Sequence, residues 1–322
     1  MTEVNKHTTI EKIVQTICES QTIAIAGHIS PDGDAAASCF ALALSIKKLN
    51  KNPVVLLESL PGRYRFIKGQ EMLYTGKLDD LKPDLFIACD CGTVDRLGKY
   101  KDLFEKTKRT IVIDHHISND GYGLINYVKP NASSTSELVY DISHLLGTID
   151  KDIAIAIYAG IIFDTGGFRF SSTSPDTMIK ISKLMEYDIP FSEVYTQTML
   201  SHTFEEAKML SFCINRMSFY EDKALIYTYV TLSEMEALNC TREDLEGVVE
   251  YMLNTKGALV SVLIYESEIG KCKVSFRSKS IDVNAVASNW GGGGHKAASG
   301  CAIYKAPEEA VSEILEFIGK RL

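Results

Sequence analysis

The chain has 322 residues and a formal net charge of −8, so it can form two domains with separate cores but is poorly suited to coating long nucleic acid. Its hydrophobic fraction of 45% is ordinary for a globular protein, and no apolar stretch is long enough to cross a bilayer, so we expect no membrane contact. The eight cysteines show no repeated Cys-x-x-Cys spacing and the first residues lack a secretory signal, so we expect a protein of the reducing cytoplasm.

Residues 1–185 alternate short apolar segments with longer helix-like segments. The predicted strands are 22–27, 53–58, 85–90 and 110–114. The predicted helices are 9–20, 35–49, 135–146 and 152–163. This alternation predicts an α/β domain with a mainly parallel, doubly wound sheet and helices on both faces.

The pattern changes after residue 185. Residues 186–210 are helical and more polar, and we interpret them as a helical connector. The segments that follow are predicted strands at 224–230, 257–265 and 271–278, a short helix at 281–288 and a terminal helix at 306–322. Residues 211–322 are therefore predicted to form a smaller α+β domain.

Four apolar segments each end in acidic or imidazole side chains. These side chains are His28, Asp32, Asp34, Asp90, Asp114, His115, His116 and Asp164. Because the carboxyl ends of parallel strands meet at one crevice, we expect these groups to lie close together. So many carboxylates stay ionised in one crevice only if cations neutralise them. Carboxylates with imidazole suit Mn²⁺ or Mg²⁺, with Co²⁺ and Fe²⁺ as alternatives.

Asp32 and Asp34 also have a simpler explanation as a turn and a helix N-cap. The recurrence of acidic or imidazole groups at three other segment ends favours the metal site.

In chain order, these motifs resemble the DHH phosphoesterase superfamily. The matching motifs are Gly27-His28-Ile29-Ser30-Pro31-Asp32-Gly33-Asp34, then Asp90, then Asp114-His115-His116, then Asp164. Residues 291–300 and 273–278 are similar to the two signatures of the DHH-associated substrate domain. Length and both motif sets most resemble the branch of nanoRNases and pAp phosphatases.

The resemblance implies two Mn²⁺ ions held by a specific ligand set. The implied ligands are His28, Asp32, Asp34, Asp90, His115 and Asp164. Asp90 would bridge the ions, His28 and Asp32 would complete one shell, and the remaining residues would complete the other. His116 would contact the scissile phosphate and Asp114 would orient a histidine ring, so that both join Asp90 as the implied catalytic residues. The sequence leaves open which of His115 and His116 is the metal ligand.

A locally basic stretch with four consecutive glycines suggests where substrate phosphate binds. Glycine leaves backbone N–H groups uncovered, which suits an anion, and Arg277 can hold a phosphate with two hydrogen bonds. A flexible loop is the alternative explanation for the glycines. The candidates are Arg277, Gly292, Gly293, Gly294, His295 and Lys296, together with Ser134 and Thr135 in the first domain. Helix capping explains Ser134 and Thr135 about equally well.

Phe168 and Phe170 could stack on a nucleobase, although core packing is the simpler explanation for each.

The expected activity is Mn²⁺-dependent hydrolysis of very short oligoribonucleotides, including pApA, and removal of the 3′-phosphate of adenosine 3′,5′-bisphosphate (pAp). Its partners would be short RNA or small nucleotides, and the resemblance also implies a homodimer through the first domain. An inorganic pyrophosphatase or a polyphosphate-type phosphatase of the same superfamily is the nearest alternative.

Two other classes are weaker alternatives. A non-catalytic nucleotide sensor would tend to have lost some ligands, whereas the full set is present. An oxidoreductase with a dinucleotide cofactor would need a Gly-x-Gly-x-x-Gly turn after the first strand, and the segment beginning at Gly27 does not provide it.

Overall fold

The structure is a computed structural model that describes residues 3–60 and 62–319. The chain divides into two compact units between Ser201 and His202. This division lies within the predicted connector, 186–210, and the domain boundaries themselves stay predictions. Within the described residues, no helix has both the length and the apolar character needed to cross a lipid bilayer.

The first unit contains a five-stranded sheet in which all strand pairings are parallel. Its strands are β1 (Thr22–Ala26), β2 (Asn52–Leu56), β3 (Leu85–Cys89), β4 (Thr110–Asp114) and β5 (Ile125–Val128). Its helices are α1 (Glu3–Glu19), α2 (Gly33–Lys47), α3 (Lys101–Lys106), α4 (Thr135–Leu145), α5 (Lys151–Asp164), α6 (Pro175–Met185) and α7 (Phe191–Tyr195). The strand order is β2-β1-β3-β4-β5, so the direction in which strands are added reverses between β1 and β3.

Both faces of this sheet are covered. In β1, Ile23 and Ile25 join the core on one face, whereas Ala24 and Ala26 join a second core on the other face. Successive strand residues point to opposite faces, so a strand buried on both sides is apolar throughout. All residues of β3 and β4 are buried for the same reason. The predicted doubly wound α/β fold is confirmed.

Three elements of this unit were not predicted from the sequence: the short helix α3, the strand β5 and the helix α6. β5 is a short edge strand, and three of its four residues are only partly buried, so it lacks the continuous apolar run of β3 and β4. α6 begins at Pro175 after Ser174, which caps the helix by accepting a hydrogen bond from the backbone of Thr177. The sequence of α6 is more polar than those of the buried helices, so its apolar pattern was weaker.

The second unit contains a six-stranded sheet in the order β10-β11-β9-β8-β7-β6. The strands are β6 (Ser218–Tyr220), β7 (Leu225–Val230), β8 (Val260–Glu268), β9 (Lys271–Ser278), β10 (Gly293–Gly294) and β11 (Ala298–Ile303). The helices are α8 (Phe204–Arg216), α9 (Leu232–Ala237), α10 (Val248–Leu253), α11 (Val283–Ala287) and α12 (Pro307–Gly319). Only the β7–β8 pairing among these strands is parallel. The predicted α+β architecture is confirmed, and β8 and β9 are antiparallel neighbours.

Candidate metal centre

The predicted metal residues follow the central strands of the first unit. His28 lies just beyond β1, Asp90 directly follows β3, and Asp114 is the last residue of β4. These strands are neighbours at the place where the strand order reverses, and in open α/β sheets ligands bind at that place. Asp34 at the start of α2 and Asp164 at the end of α5 reach the same cluster.

Asp90 lies at the centre of the cluster. Its Oδ2 is 3.8 Å from Nε2 of His28, and its Oδ1 is 3.6 Å from Nε2 of His115. Each carboxylate oxygen therefore faces a different histidine, as a bridging carboxylate requires. Asp90 is buried, and its backbone is left-handed with φ of +54°. Such strained backbone is concentrated at functional sites.

The other donors form one group on each side of Asp90. On one side, His28 Nε2 is 3.6 Å from Oδ2 of Asp32. On the other side, His115 Nε2 is 3.0 Å from Oδ2 of Asp164. In each of the sets His28–Asp32–Asp90 and Asp34–His115–Asp164, one donor atom per residue lies within 4.8 Å of the others. The structure thus brings all six predicted metal residues together.

The geometry distinguishes the two neighbouring histidines. His116 Nδ1 donates a hydrogen bond of 2.7 Å to Oδ1 of Asp114, whose Oδ2 accepts a 2.6 Å hydrogen bond from Asn119. His115 directs Nε2 at the carboxylates of both Asp90 and Asp164. His116 Nδ1 also lies 3.6 Å from Oδ1 of Asp90, but that nitrogen is hydrogen-bonded to Asp114. This arrangement favours His115 as the metal ligand and His116 as the ring that Asp114 orients.

The first turn of α4 supports two of the predicted ligands. The backbone N–H groups of Thr135 and Ser136 donate to Oδ2 and Oδ1 of Asp34, at 2.6 and 3.0 Å. The Thr135 hydroxyl donates to Oδ1 of Asp90 at 3.0 Å. Sequence reasoning did not find this support, because these hydrogen bonds join residues far apart in the chain.

Ser134 and Thr135 are fully buried, so their predicted role in substrate binding is corrected. Ser134 caps α4, since its hydroxyl accepts a hydrogen bond of 3.0 Å from the backbone of Glu137. Thr135 uses its hydroxyl on Asp90. Neither side chain has exposed surface to offer a substrate.

Sequence reasoning also missed Asn119 and Arg96. Asn119 lies in the polar turn after the two histidines, where it had no signal beyond that of a common turn residue. Arg96 is exposed, and its Nη2 lies 3.0 Å from Nδ1 of His28. The same Nδ1 lies 2.7 Å from the carbonyl oxygen of Ile29, to which it can donate its proton, leaving Nε2 for a metal.

The electrostatics of the cluster fit divalent cations. Burial, reinforced by the charge of Asp90, raises the pKa of Asp34 to about 7. Burial and the nearby carboxylates of Asp32 and Asp164 raise the pKa of Asp90 to about 7. Burial alone would lower the pKa of His115, but its hydrogen bond to Asp164 and the nearby carboxylates raise it to about 10. A crowded set of acids that retain protons near neutral pH is one that cations would stabilise in its ionised form.

The predicted phosphate contacts in the second unit lie on β9 and around β10. Arg277 is about one-third exposed, at 32%, and its Nε donates a 2.7 Å hydrogen bond to Oε1 of Glu250. The glycine run, in which no strand was predicted, contains strand β10, which pairs with β11. Gly292 is required because a Cβ would overlap the carbonyl oxygen of Gly300, and Gly294 because its φ is +148°.

Four of the predicted contacts in this segment are exposed. They are Gly293, Gly294, His295 and Lys296. Packing within the hairpin therefore explains Gly292 and Gly294, and the role of the whole segment in substrate binding stays a prediction.

Two family profiles match this chain. The profile of the N-terminal domain of the DHH family matches residues 22–161, and the profile of the DHHA1 domain matches residues 222–322.

Several relatives align over most of the chain. The bifunctional oligoribonuclease and PAP phosphatase NrnA of Bacillus subtilis (strain 168) is 28% identical over 310 residues, covering 92% of this chain and 94% of the relative. The protein of the same name from Thermus thermophilus is 28% identical over 305 residues, covering 93% of this chain and 90% of the relative.

Solved structures share the fold. An exopolyphosphatase-related protein from Bacteroides fragilis has a TM-score of 0.92 and 26% identity, covering 100% of this chain and 98% of its own. The exonuclease RecJ bound to manganese has a TM-score of 0.55 and 14% identity, covering 98% of this chain and 94% of its own, and shares the fold alone.

Proposed function

The chain belongs to the DHH phosphoesterase family, with a DHH domain followed by a DHHA1 domain, and on this basis we propose that it hydrolyses very short oligoribonucleotides and removes the 3′-phosphate of pAp. Relatives named as bifunctional oligoribonucleases and PAP phosphatases support this proposal over more than nine-tenths of the chain. The observation that carries it is the Asp90 carboxylate, with a different histidine facing each of its oxygens.

The donor set indicates which residues would hold two divalent cations. One would be held by His28, Asp32 and Asp90, and the other by Asp34, Asp90, His115 and Asp164. We propose Mn²⁺ for both positions, because carboxylate oxygens combined with imidazole nitrogens suit that ion, and Mg²⁺, Co²⁺ and Fe²⁺ remain alternatives. When bound, two such cations neutralise charge on a phosphate and supply a nucleophilic water near neutral pH.

The remaining residues would orient the substrate. Asp114 holds the Nδ1 proton of His116, so Nε2 is the ring nitrogen left to contact the scissile phosphate or the leaving oxygen. Asn119 fixes the other oxygen of Asp114 and so limits rotation of its carboxylate. We propose His116 as the phosphate contact and Asp114 as the residue that positions it.

The second unit would bind the non-reacting phosphate. The proposed contacts are Arg277, Gly292, Gly293, Gly294, His295 and Lys296. We also retain the homodimer through the first unit as a proposal, which sedimentation equilibrium would test.

A substrate panel tests the proposed activity. The full chain with added Mn²⁺ would be incubated with pAp, pApA, RNAs of increasing length and inorganic pyrophosphate. We expect turnover of pAp and of the shortest RNAs, falling steeply with length. Preferred turnover of pyrophosphate would instead indicate a pyrophosphatase, and binding of pAp without any turnover would indicate a sensor.

The Asp90→Asn variant tests the proposed metal centre. Asparagine tolerates left-handed backbone, so this change removes the charge while keeping the conformation. We expect turnover to fall roughly 100-fold or more and Mn²⁺ affinity to fall with it. Near-normal turnover by this variant would contradict the assignment of Asp90.

A further inference from the structure

The segment directly after Asp164 presents two side chains that the proposed chemistry does not use. They are Arg169 and Phe170, and both are exposed, Phe170 to 54%. Phe168, by contrast, packs against the core of the first unit. The expectation of core packing therefore holds for Phe168 and is wrong for Phe170.

The backbone of this segment is strained. Gly166, Gly167 and Phe168 are consecutive left-handed residues, with φ of +57°, +69° and +69°. The first two are glycines, which adopt this conformation readily, but for a phenylalanine it is unfavourable. Such strain persists only where the surrounding structure holds it, and it is concentrated at ligand-binding sites.

Thr165 holds the strained segment in place. Its carbonyl oxygen accepts hydrogen bonds from the backbone N–H groups of Arg169 and Phe170, at 2.9 and 3.0 Å. Its hydroxyl accepts a third, of 3.1 Å, from the N–H of Phe168. Thr165 is fully buried, so these bonds are shielded from water. The two exposed side chains are therefore presented from an ordered backbone.

The Phe170 ring packs against the chain just beyond Asp164, a proposed metal ligand. It packs over Gly166, where a Cβ would be only 2.6 Å from the ring. Gly166 is two residues beyond Asp164, so their Cα atoms are at most ~7.6 Å apart. An exposed aromatic face thus lies over the backbone two residues beyond Asp164.

Arg169 adds a positive charge at the same place. Its Nε donates a 2.7 Å hydrogen bond to the carbonyl oxygen of Gly166, and its guanidinium carbon lies 6.0 Å from the centre of the Phe170 ring. Across residues 3–60 and 62–319, no carboxylate forms an ion pair with Arg169. Its outer N–H groups are free to bind a phosphate oxygen.

We propose that Arg169 and Phe170 form a nucleotide-recognition surface beside the metal centre, in which Phe170 stacks on a nucleobase and Arg169 contacts a phosphate of the same substrate. Stacking on an aromatic ring accepts any base, whereas inorganic pyrophosphate has no base to stack. The surface rests on the proposed function and gives it a basis for preferring nucleotides over inorganic phosphates.

Steady-state kinetics on a matched pair of substrates tests this surface. One substrate is pApA, and the other is the same dinucleotide with both bases removed. For Phe170→Ala we expect the KM for pApA to rise about tenfold with little change in kcat, and the KM for the abasic dinucleotide to stay unchanged. Arg169→Gln should raise the KM for both substrates, because both carry the phosphates.

Matched variants separate stacking from loop disruption. Phe170→Leu keeps apolar packing over Gly166 but removes the aromatic face, so it should behave like the alanine variant, and Phe170→Tyr should restore the wild-type KM. Phe191→Ala, which truncates another half-exposed phenylalanine of the same unit, should have no effect. Mn²⁺ binding should stay unchanged in every variant.

Two contrary results have different meanings. If the wild type turns over pApA and the KM of both Phe170→Ala and Phe170→Leu equals that of the wild type, the recognition surface is wrong and the proposed function stands. If the wild type does not turn over pApA, the oligoribonuclease part of the proposed function fails and the surface fails with it.

Discussion

Asp90 contacts several other residues of the proposed metal centre, and no single sequence motif indicates all of these contacts. Each of its oxygens faces a histidine, and Oδ1 also accepts the hydrogen bond from Thr135. That bond occupies one lone pair of Oδ1 and leaves the other for a cation. The hydroxyl of Thr135 therefore limits how the Asp90 carboxylate can rotate.

Replacing Thr135 with valine tests this support. Valine has nearly the same shape but no hydroxyl, so Asp90 would lose its donor without a cavity being created. We expect Mn²⁺ affinity to fall roughly tenfold or more, as for other residues that hold metal ligands, measured by calorimetric titration. Thr135→Ser keeps the donor and should bind Mn²⁺ almost as the wild type does. If Thr135→Val bound Mn²⁺ with the wild-type affinity, Thr135 would not be needed to hold Asp90 in place.

The individual metal-site residues could be predicted from the sequence, but the residues that hold them in place by hydrogen bonds could not. His28, Asp90 and Asp164 follow apolar segments and are charged or imidazole groups, so their positions indicate a shared site. The hydrogen bond between Thr135 and Asp90 joins residues 45 positions apart and leaves no local pattern. The choice between His115 and His116 likewise needed three-dimensional geometry, because adjacent histidines have the same composition and spacing.

At the scale of helices and strands, the close approach of α5 to α2 and α4 brings Asp164 to the cluster. Gly160 allows this approach, because a Cβ at this position would lie 2.8 Å from Oδ1 of Asp34 and would overlap the hydroxyl oxygen of Ser136. Its φ is not left-handed, so close packing rather than backbone conformation requires glycine here.

Gly160→Ala should therefore be destabilising, although alanine favours helices. The gain in helix propensity is about 1 kcal/mol, whereas overpacking a buried contact costs about 1–3 kcal/mol. We expect a lower free energy of unfolding in denaturant titrations and weaker Mn²⁺ binding, because Asp34 must move. Gly62→Ala is the matched control, since a Cβ there meets nothing within 4 Å. Unchanged stability and Mn²⁺ affinity in Gly160→Ala would contradict this account of the helix packing.

Elements with continuous or regularly alternating apolar burial could be predicted, and short or irregular ones could not. β3 and β4 are buried at every residue, and their sequences show it. The edge strand β5 is mostly half-buried and escaped prediction. No strand was predicted in the glycine run, yet Gly293 and Gly294 form β10, because glycine has a low strand preference and gives no apolar alternation.

At the scale of the whole molecule, the net charge of −8 has the same sign as the charge of the proposed substrates, so the protein as a whole does not attract them. Such substrates must be held by cations in the first unit and by a few local basic groups. In the second unit, Arg277 is the proposed phosphate contact, and it shares its guanidinium with Glu250 at 2.7 Å. This single ion pair on an exposed surface leaves further N–H groups for a phosphate.

Arg277→Ala separates substrate binding in the second unit from metal binding in the first. Hydrogen bonds to charged groups contribute about 1.5–3 kcal/mol, so we expect the KM for pAp and pApA to rise roughly tenfold or more. Mn²⁺ affinity should not change. Arg242→Ala, which removes another arginine paired to a glutamate in the same unit, is the control and should leave the KM unaltered. A wild-type KM for Arg277→Ala would eliminate this contact.

The residues of the proposed metal centre lie at the central strands of the sheet. Their position determines whether local unfolding of the sheet would disturb metal binding. His28 and Asp90 follow β1 and β3, and Asp114 is the last residue of the adjacent strand β4, whereas the edge strands β2 and β5 contribute no proposed metal ligand. Edges fray first when a sheet opens locally, and central strands exchange their amide protons only in larger unfolding events. We therefore expect the protein to keep binding metal even after the backbone amides of the edge strands β2 and β5 have lost their protection from hydrogen exchange.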